Sequence, residues 1–568
     1  MFQESIQDIL RQTLKYLIDS GKLSLNDEHG LENINEPVVE IPRDETHGDF
    51  ASNVAMMLAK GAKRPPRAIA ELIKESILRY DVNGLVKQVD IAGPGFLNFK
   101  LADKAFQKVL SEIHIQRANW GRCDIGKGER VLLEFVSANP TGPLNVVNAR
   151  AATVGDILAN LFFACGYEVE REYYVNDEGS QIDNLGESLH ARFSELHGKP
   201  LVIPEDGYHG KYLIDIAKSL KQEISSNVSS NNKWWSEEAV GRLLAQQRKA
   251  LERFGVHFNR FYRQSELTFA GKHLESFNKL KDNGFIYEED GALWLATTRF
   301  GDDKDRVVVR STGEHTYFSV DIAYHLDKAE RGYNHIINLL GPDHHGYIPR
   351  LKACMQALGY PKELLEIYTI QQVTLLKNGE PVKMSKRAGE FITMDDLIDE
   401  AGSDAARFFF NLRHRDSPLD FDLDLAKEQS DKNPLYYVQY AHARIKSILR
   451  NAKEQGVGVA SDMALVDLMP LSSDEEKTLI KTISRFPAIV KLCMEKREPH
   501  HLTSYGVESA RAFHAFYTVH RVLGRDEDTA SPDVSRSITL ARLALIDAVS
   551  LTLANLLKLM GISVPDKM

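Results

Sequence analysis

Residues 130–177 read RVLLEFVSANPTGPLNVVNARAATVGDILANLFFACGYEVEREYYVND. RVLLEFVSANP (130–140) is an unbroken apolar run ending in turn residues, the pattern of a strand buried on both faces of a parallel sheet. ARAATVGDILANLFFACG (149–166) continues as a helix, and YEVEREYYVND (167–177) returns as a second strand. Together they form a β-loop-α-β unit, the building block of an α/β sheet with crossover helices. The turn between strand and helix is rich in Asn, Gly and Pro. A helix N-terminus at the carboxyl end of a parallel strand favours anions. An ordinary βα connection has the same composition, so the segment needs support from elsewhere in the chain.

Upstream, residues 1 to about 115 mix two periods. FQESIQDILRQTLKYLI (2–18) places Ile6, Ile9, Leu10 and Leu14 on one helical face. ASNVAMMLAKGAKRPPRAIAELIKESI (51–77) predicts two helices separated at Pro65 and Pro66. VKQVDIAGPGFLNFKL (86–101) predicts two strands around a Gly-Pro-Gly turn. These features make residues 1–115 a separate α+β domain. The central domain spans 116–415, with a polar, helical insertion at about 182–265 that includes the Ser/Asn-rich loop 225–232. Its later strand candidates are GALWLAT (291–297), RVVVR (306–310), TYFSVDIA (316–323) and HIINLLGPD (335–343). From 416 to 568 four long stretches of 3.6-residue period predict an all-helical bundle.

The chain has 568 residues, enough for three or four domains. With 43% apolar and 26% charged residues it has the composition of a folded globular chain. The net charge of −10 excludes a uniformly basic nucleic-acid coat but not a local basic groove. Cys123, Cys165, Cys354 and Cys493 lie far apart, which argues against a disulfide framework or a zinc ribbon and fits a reducing compartment. The first residues, MFQESIQDIL, do not read as an export signal, and the apolar stretch 537–560 is interrupted by Arg542, Asp547 and Lys558. A buried helix and a cytoplasmic location, with no membrane partner, are the expectations.

Three further segments carry charge in unusual places. KMSKRAGEFITMDDL (383–397) sets two lysines and an arginine beside a glycine, and lysine suits phosphate as a flexible point charge; a solvated loop is the plain alternative. NLLGPDHHGY (338–347) empties a strand into an Asp and two His. Adjacent histidines on one turn rarely bind one ion together, so zinc is not expected. TYFSVDIAYH (316–325) interrupts an apolar run with an acid that needs a partner. Tyr317 and Asp321, four apart, would share one face if this run were helical.

Taken in order, these segments resemble class I aminoacyl-tRNA synthetases, and among them the arginyl-tRNA synthetases. KMSKR (383–387) is similar to the second class I signature, SANPTGPL (137–144) to the arginyl form of the approach to the first, and GPDHHGY (341–347) to the adenosine-side loop. THGDFASNVA (46–55), AGPGFLNF (92–99) and NPLYYVQYAHARI (433–445) resemble the outer domains of the same family. One departure is plain. The first signature is ordinarily His-x-Gly-His, and here it is Asn145-Val146-Val147-Asn148.

The resemblance implies a Rossmann-like catalytic domain, an N-terminal domain that contacts tRNA and a helical anticodon-binding domain. It implies an arginine–tRNA ligase that forms arginyl-adenylate from arginine and ATP, then transfers the arginyl group to the 3′ end of tRNA(Arg). Lys383 and Lys386 would neutralise the departing pyrophosphate, with Met384 and Ser385 beside them, and Asn145 and Asn148 would stand in for the imidazoles. Gly341, Asp343 and His344 would complete the ATP site. Glu134, Ser137, Asn139, Tyr317, Asp321 and His345 would hold arginine. Tyr436, Tyr437, Gln439 and Tyr440 offer stacking and edge contacts to single-stranded tRNA, although helix packing is an equal use for such residues. ATP would enter with Mg²⁺; no zinc and no organic cofactor is expected, and the family favours a monomer. Two rivals remain. One is a paralogue that binds tRNA or arginine without catalysis, suggested by the altered signature. The other is a small-molecule adenylyltransferase, which has no need of a C-terminal helical domain.

Overall fold

The computed structural model describes residues 2–25, 37–42, 47–224, 231–382, 392–459, 466–523 and 532–568, without the side chains of His345 and of residues 532–535. The central sheet has five parallel strands: β1 (Arg130–Glu134), β2 (Glu168–Val175), β3 (Arg260–Arg263), β4 (His335–Leu340) and β5 (Leu365–Thr369). Their spatial order is β5-β4-β1-β2-β3. Helix α1 (Val146–Ala164) is the crossover from β1 to β2. β1 is the first strand in sequence and lies at the middle. The chain winds outward to β2 and β3, then returns to add β4 and β5 on the other side. The reversal lies between β1 and β4, and in open α/β sheets ligands bind in the crevice outside the carboxyl ends of strands at such a point.

Helix α1 lies close against the sheet because it has a glycine at the contact. A Cβ on Gly155 would come within 2.2 Å of the Phe135 ring. Arg150, fully buried in α1, donates to the carbonyls of Gln371, His414 and Ser417 at 3.0, 3.0 and 2.9 Å. These bonds tie the helix to the loops that leave the sheet and lead towards the C-terminal domain.

The stretch 316–323 is not a strand. Tyr317–Glu330 form a helix, α2, which packs on the sheet. The run alternates apolar and polar residues, but Phe318, Ile322 and Leu326 also repeat every four, and all three are buried. The strand period was the wrong one of two that coexist in a short window. The outer strand β3 comes from within the stretch expected as a helical insertion, so three helices (Ser180–Glu195, Lys211–Glu223, Asn232–Arg253) form an excursion between β2 and β3. Leu419–Asp422 is a short strand pairing in parallel with Val373–Lys377, so the chain beyond 416 is not wholly helical.

Around this centre, the N-terminal residues form a three-stranded antiparallel sheet (Phe50–Ser52, Val86–Ala92, Phe96–Leu101) flanked by helices. Helices from Pro434 onward form the C-terminal bundle. Its last long helix contains a stretch, Arg536–Leu559, apolar and long enough to cross a membrane by composition, but most of it is buried against its neighbours. One apolar core runs continuously through all three regions.

Replacing Arg150 by Met should lower the thermal unfolding midpoint. Three part-buried carbonyls would lose their donor, a cost of about 3 kcal/mol at about 1 kcal/mol each. Arg150→Lys should recover only part of it, because an ammonium cannot reproduce the guanidinium fork. A midpoint unchanged in Arg150→Met would show that the three bonds contribute nothing.

Candidate active site

β1 ends at Glu134, and the backbone then turns through two residues in the left-handed region, Val136 at φ 69° and Ser137 at φ 38°. A β-branched residue at positive φ is strained by about 1–3 kcal/mol, the kind of cost that concentrates at functional sites. The turn carries Ser137 back over the strand end. Its hydroxyl donates to Glu134 Oε1 at 2.8 Å and accepts from the Tyr174 N–H at 3.1 Å.

Glu134, Glu172 and Asn338 lie side by side on β1, β2 and β4, in register across the sheet. Two buried carboxylates on neighbouring strands each need a cation. Helix α2 and its C-cap residue, Arg331, supply both. The Lys328 ammonium pairs with Glu134 Oε2 and donates to Asn338 Oδ1 at 2.9 Å. Arg331 grips Glu172 through two bonds of 2.6 and 2.8 Å, and Tyr324 donates its hydroxyl to the same carboxylate at 2.7 Å. Asn338 Nδ2 then donates to His325 Nε2 at 2.8 Å, and His325 Nδ1–H donates to the Asp321 carbonyl at 2.8 Å. Burial, and then Lys328, hold the His325 imidazole down to about 3, so it is neutral.

Beside this network opens a cavity of about 590 Å³, at the strand-order reversal between β1 and β4. Of the residues expected to hold arginine, Glu134, Ser137, Asn139, Tyr317 and Asp321 line it. Tyr317 stands 60% exposed at the rim. Asn139 is exposed and donates to Gln181 Oε1 at 3.0 Å. His345 sits on the 3₁₀ turn Pro342–Tyr347, and its side chain lies outside the described residues. Asp321 is half-buried and lines the cavity. Among the described residues no hydrogen bond or ion pair reaches its carboxylate. Burial, and then the nearby Glu134, push that carboxyl up to about 7, against the opposing pull of Lys328 and of Arg350 on helix α3 (Ile348–Ala357).

The expected ATP residues are only partly assembled. Gly341 and His344 line the cavity, while Asp343 is exposed on the same turn and does not. Lys383, Met384, Ser385 and Lys386, with Arg387, lie outside the described residues. The chain re-enters them at Ile392, and the next residue, Thr393, forms an antiparallel bridge with Asn145.

Asn145 and Asn148 form a capping box on α1. Asn145 Oδ1 accepts from the N–H groups of Val147 and Asn148 at 3.0 and 3.1 Å, and Asn148 Oδ1 accepts from Asn145 N–H at 3.0 Å. Both amide oxygens thus face the helix end, and each Nδ2 keeps its two protons for another acceptor. The same bonds occupy backbone donors that would otherwise point at an anion.

In the C-terminal domain, Tyr436 and Tyr440 stack 5.9 Å apart on helix α4 (Pro434–Glu454), and Tyr437 packs on His514 at 4.8 Å. Arg444 donates to the Tyr440 hydroxyl at 2.8 Å and its guanidinium lies 4.7 Å from the Tyr517 ring centre. Gln439 does not join this surface. It is buried, and its amide donates to the Ser563 carbonyl at 3.1 Å. One position along, Gln439 faces the interior while its tyrosine neighbours sit half-buried at the surface.

Sequence reasoning missed Lys328, Asn338, His325, Glu172 and Tyr174. The signal was the polar stripe Tyr317, Asp321, His325, Lys328 on α2, legible only once 316–323 is read as a helix.

Three family profiles match in sequence order. They are described as the arginyl-tRNA synthetase N-terminal domain (residues 3–101), the class I (R) tRNA synthetase catalytic domain (110–417) and the DALR anticodon-binding domain (438–568). The chain is 45% identical to the arginine–tRNA ligase of Bacillus licheniformis over 570 residues, covering all of this chain and 99% of that one. It is 45% identical to the arginine–tRNA ligase of Bacillus subtilis over 571 residues, with the same coverage. The arginyl-tRNA synthetase structure from Thermus thermophilus superposes over the full length of both chains with a TM-score of 0.75; at 21% identity this likeness is one of fold.

Replacing Asn145 by Ala should destabilise the start of α1 by about 1 kcal/mol, because two N–H groups lose their acceptor. Asn145→Asp should retain the cap. Faster amide exchange at Val147 and Asn148 in the Ala variant, but not in the Asp variant, is the expected measurement.

Proposed function

Because the chain belongs to the class I arginyl-tRNA synthetases, we propose that the cavity at the end of β1 and β4 is its arginine pocket and that Asp321 is the acid that meets the substrate guanidinium. The activity itself is that of an arginine–tRNA ligase: arginine is activated with ATP and joined to tRNA. The inactive rival loses its ground, since the full-length relatives are ligases, and the small-molecule adenylyltransferase does not account for the matched anticodon-binding domain.

The observation that carries the pocket assignment is the state of the acids. Glu134 and Glu172 already have cations within the protein and Glu178 accepts hydrogen bonds from Thr268 and Gln264, whereas the Asp321 carboxylate faces the cavity with no such partner among the described residues. A guanidinium is planar, permanently charged and forked, so a carboxylate held at fixed distance selects it. Glu134 and Asn139 lie at the strand end, suited to the substrate's ammonium and carboxylate, with Ser137 holding Glu134 in place, and Tyr317 stands at the rim beside Asp321.

In the first step the arginine carboxylate attacks the α-phosphorus of ATP, the bond to the β-phosphate bridge breaks, and pyrophosphate leaves. Little covalent work falls to the protein, which aligns the reactants and neutralises charge. Lys383 and Lys386 carry that neutralisation, and the free Nδ2 groups of Asn145 and Asn148 donate to phosphate oxygens. ATP enters as its magnesium complex. Gly341 lets the nucleotide approach the end of β4, and Asp343, two residues on and exposed, offers its carboxylate to the ribose. In the second step a ribose hydroxyl of the terminal tRNA nucleotide takes the arginyl group and AMP departs. Tyr436, Tyr437 and Tyr440 offer stacking faces to anticodon bases. We also read the protein as a cytoplasmic monomer with no zinc and no organic cofactor.

Charging of purified tRNA(Arg) with radiolabelled arginine tests the activity, and Lys386→Ala should lower the rate on the order of 10²-fold. Equal rates in that variant would displace Lys386 from its role. Asn148→Ala should slow charging through loss of an amide donor, with Asn148→His tolerated.

Arginine affinity should also depend on pH. Asp321 holds its proton below about 7 and must release it to pair with the guanidinium. Affinity should therefore be flat well above pH 7 and fall about tenfold per unit below it. Asp321→Asn should weaken binding and flatten the profile. An Asp321→Asn variant with wild-type arginine affinity would place the guanidinium elsewhere.

A further inference from the structure

Three carboxylates, Glu134, Glu178 and Asp321, line the cavity, while the arginine side chain brings one positive charge. Glu178 already accepts from Thr268 Oγ1 at 2.7 Å and from Gln264 Nε2 at 3.5 Å. The charge of the wall is therefore a matter of which acids are already compensated. We propose that Lys328 is a positioning residue of the arginine pocket: by closing an ion pair on Glu134 it leaves Asp321, among the described residues, as the lining acid with neither a cation nor a hydrogen bond on its carboxylate, the one that the substrate guanidinium meets. The inference rests on the reading of this cavity as the arginine pocket.

Lys328 is built into its place. It is 0% exposed and does not line the cavity, so it touches the substrate only through others. An ammonium has three protons. Here Glu134 Oε2 and Asn338 Oδ1 are its acceptors, and the face of the Tyr324 ring lies 4.2 Å from Nζ. That arrangement fixes more than one charge. With its oxygen held by Lys328, Asn338 must turn its Nδ2 towards His325, which fixes the tautomer with hydrogen on Nδ1. The imidazole stays neutral, so no second cation competes with the guanidinium. Glu134, gripped between Lys328 and Ser137, cannot swing towards Asp321.

The groups that face Asp321 come from four elements: Glu134 from β1, Tyr174 from β2, Arg350 and Cys354 from α3, and Lys328 on its own helix. Removing either member of the Lys328–Glu134 pair changes the field at Asp321, with opposite sign. Without Lys328, a bare Glu134 carboxylate disfavours ionisation of Asp321. Without the Glu134 charge, Lys328 favours it.

The test is calorimetric titration of arginine into the full chain between pH 6 and 8.5. Wild type should show an inflection near 7. Lys328→Met, close in shape but uncharged, should move the inflection up by about one unit and weaken binding at pH 7 roughly tenfold. Glu134→Gln should move it down, and the double variant should return it towards the wild-type value. Single variants that both shift it the same way, or that lower thermal stability and leave it in place, would reduce Lys328 to a structural role and overturn the inference. If Lys328→Met alone does not fold, the Glu134→Gln shift and its cancellation in the double variant decide the question. A flat wild-type profile has a different meaning, since it removes the pocket assignment itself and the inference with it.

Discussion

Two carboxylates buried on adjacent parallel strands dictate how the catalytic domain is assembled. Glu134 and Glu172 stand in register, side by side, on the same face of the sheet. Leaving one such charge unpaired costs about 3–5 kcal/mol. Helix α2 and its C-cap resolve both at once with Lys328 and Arg331, three residues apart and so on one side of the helix. Sliding or rotating α2 would strand both acids together, so the helix has one register on the sheet. Tyr317 and Asp321, earlier on the same helix, inherit their positions from that register. The polar pocket is thus placed by ion pairs whose cations, Lys328 and Arg331, do not line it.

How much of this was legible in the sequence depends on the range of the interaction. The β-loop-α-β unit at 130–177 could be read because a buried parallel strand is apolar throughout and its crossover helix follows at once. The misreading of 316–323 arose because Phe318, Val320 and Ile322 alternate while Phe318, Ile322 and Leu326 recur every four, and eight residues do not separate the two periods. The partner of Glu134 could not be read at all, because Lys328 lies 194 positions away and meets it only through tertiary packing. The left-handed turn at Val136 and Ser137 carries no glycine or asparagine to announce it. Gln439 shows the converse. Its neighbours are tyrosines at the surface, and only the position of Ser563 explains why it faces inward.

The C-terminal domain is joined to this centre by buried arginines as well as by apolar contact. Arg150 bonds the loops at 371 and 414–417, and Arg407 joins Asp156 of α1 to the carbonyl of Met560 near the end of the bundle's last helix. A Cβ on Gly561 would come within 2.2 Å of the Arg407 guanidinium, so that close approach depends on a glycine. The bundle is thus bonded through Arg407 to α1, the helix whose first turn presents Asn145 and Asn148. Thr393, where the chain re-enters after the lysine-rich segment, bridges to the same turn. Three parts of the machinery thus converge on one helix end.

An imidazole at that helix end would gain and lose charge within the physiological range, whereas the amides of Asn145 and Asn148 do not ionise. Their oxygens are committed to the helix, so what they present outward is the same at pH 6 as at pH 8. On the proposed reading of the cavity, proton linkage resides at Asp321 and not in the first turn of α1. The two substrates would consequently respond differently to acidity: the amino-acid side carries the proton linkage, and the first-turn contribution to the phosphate side carries none.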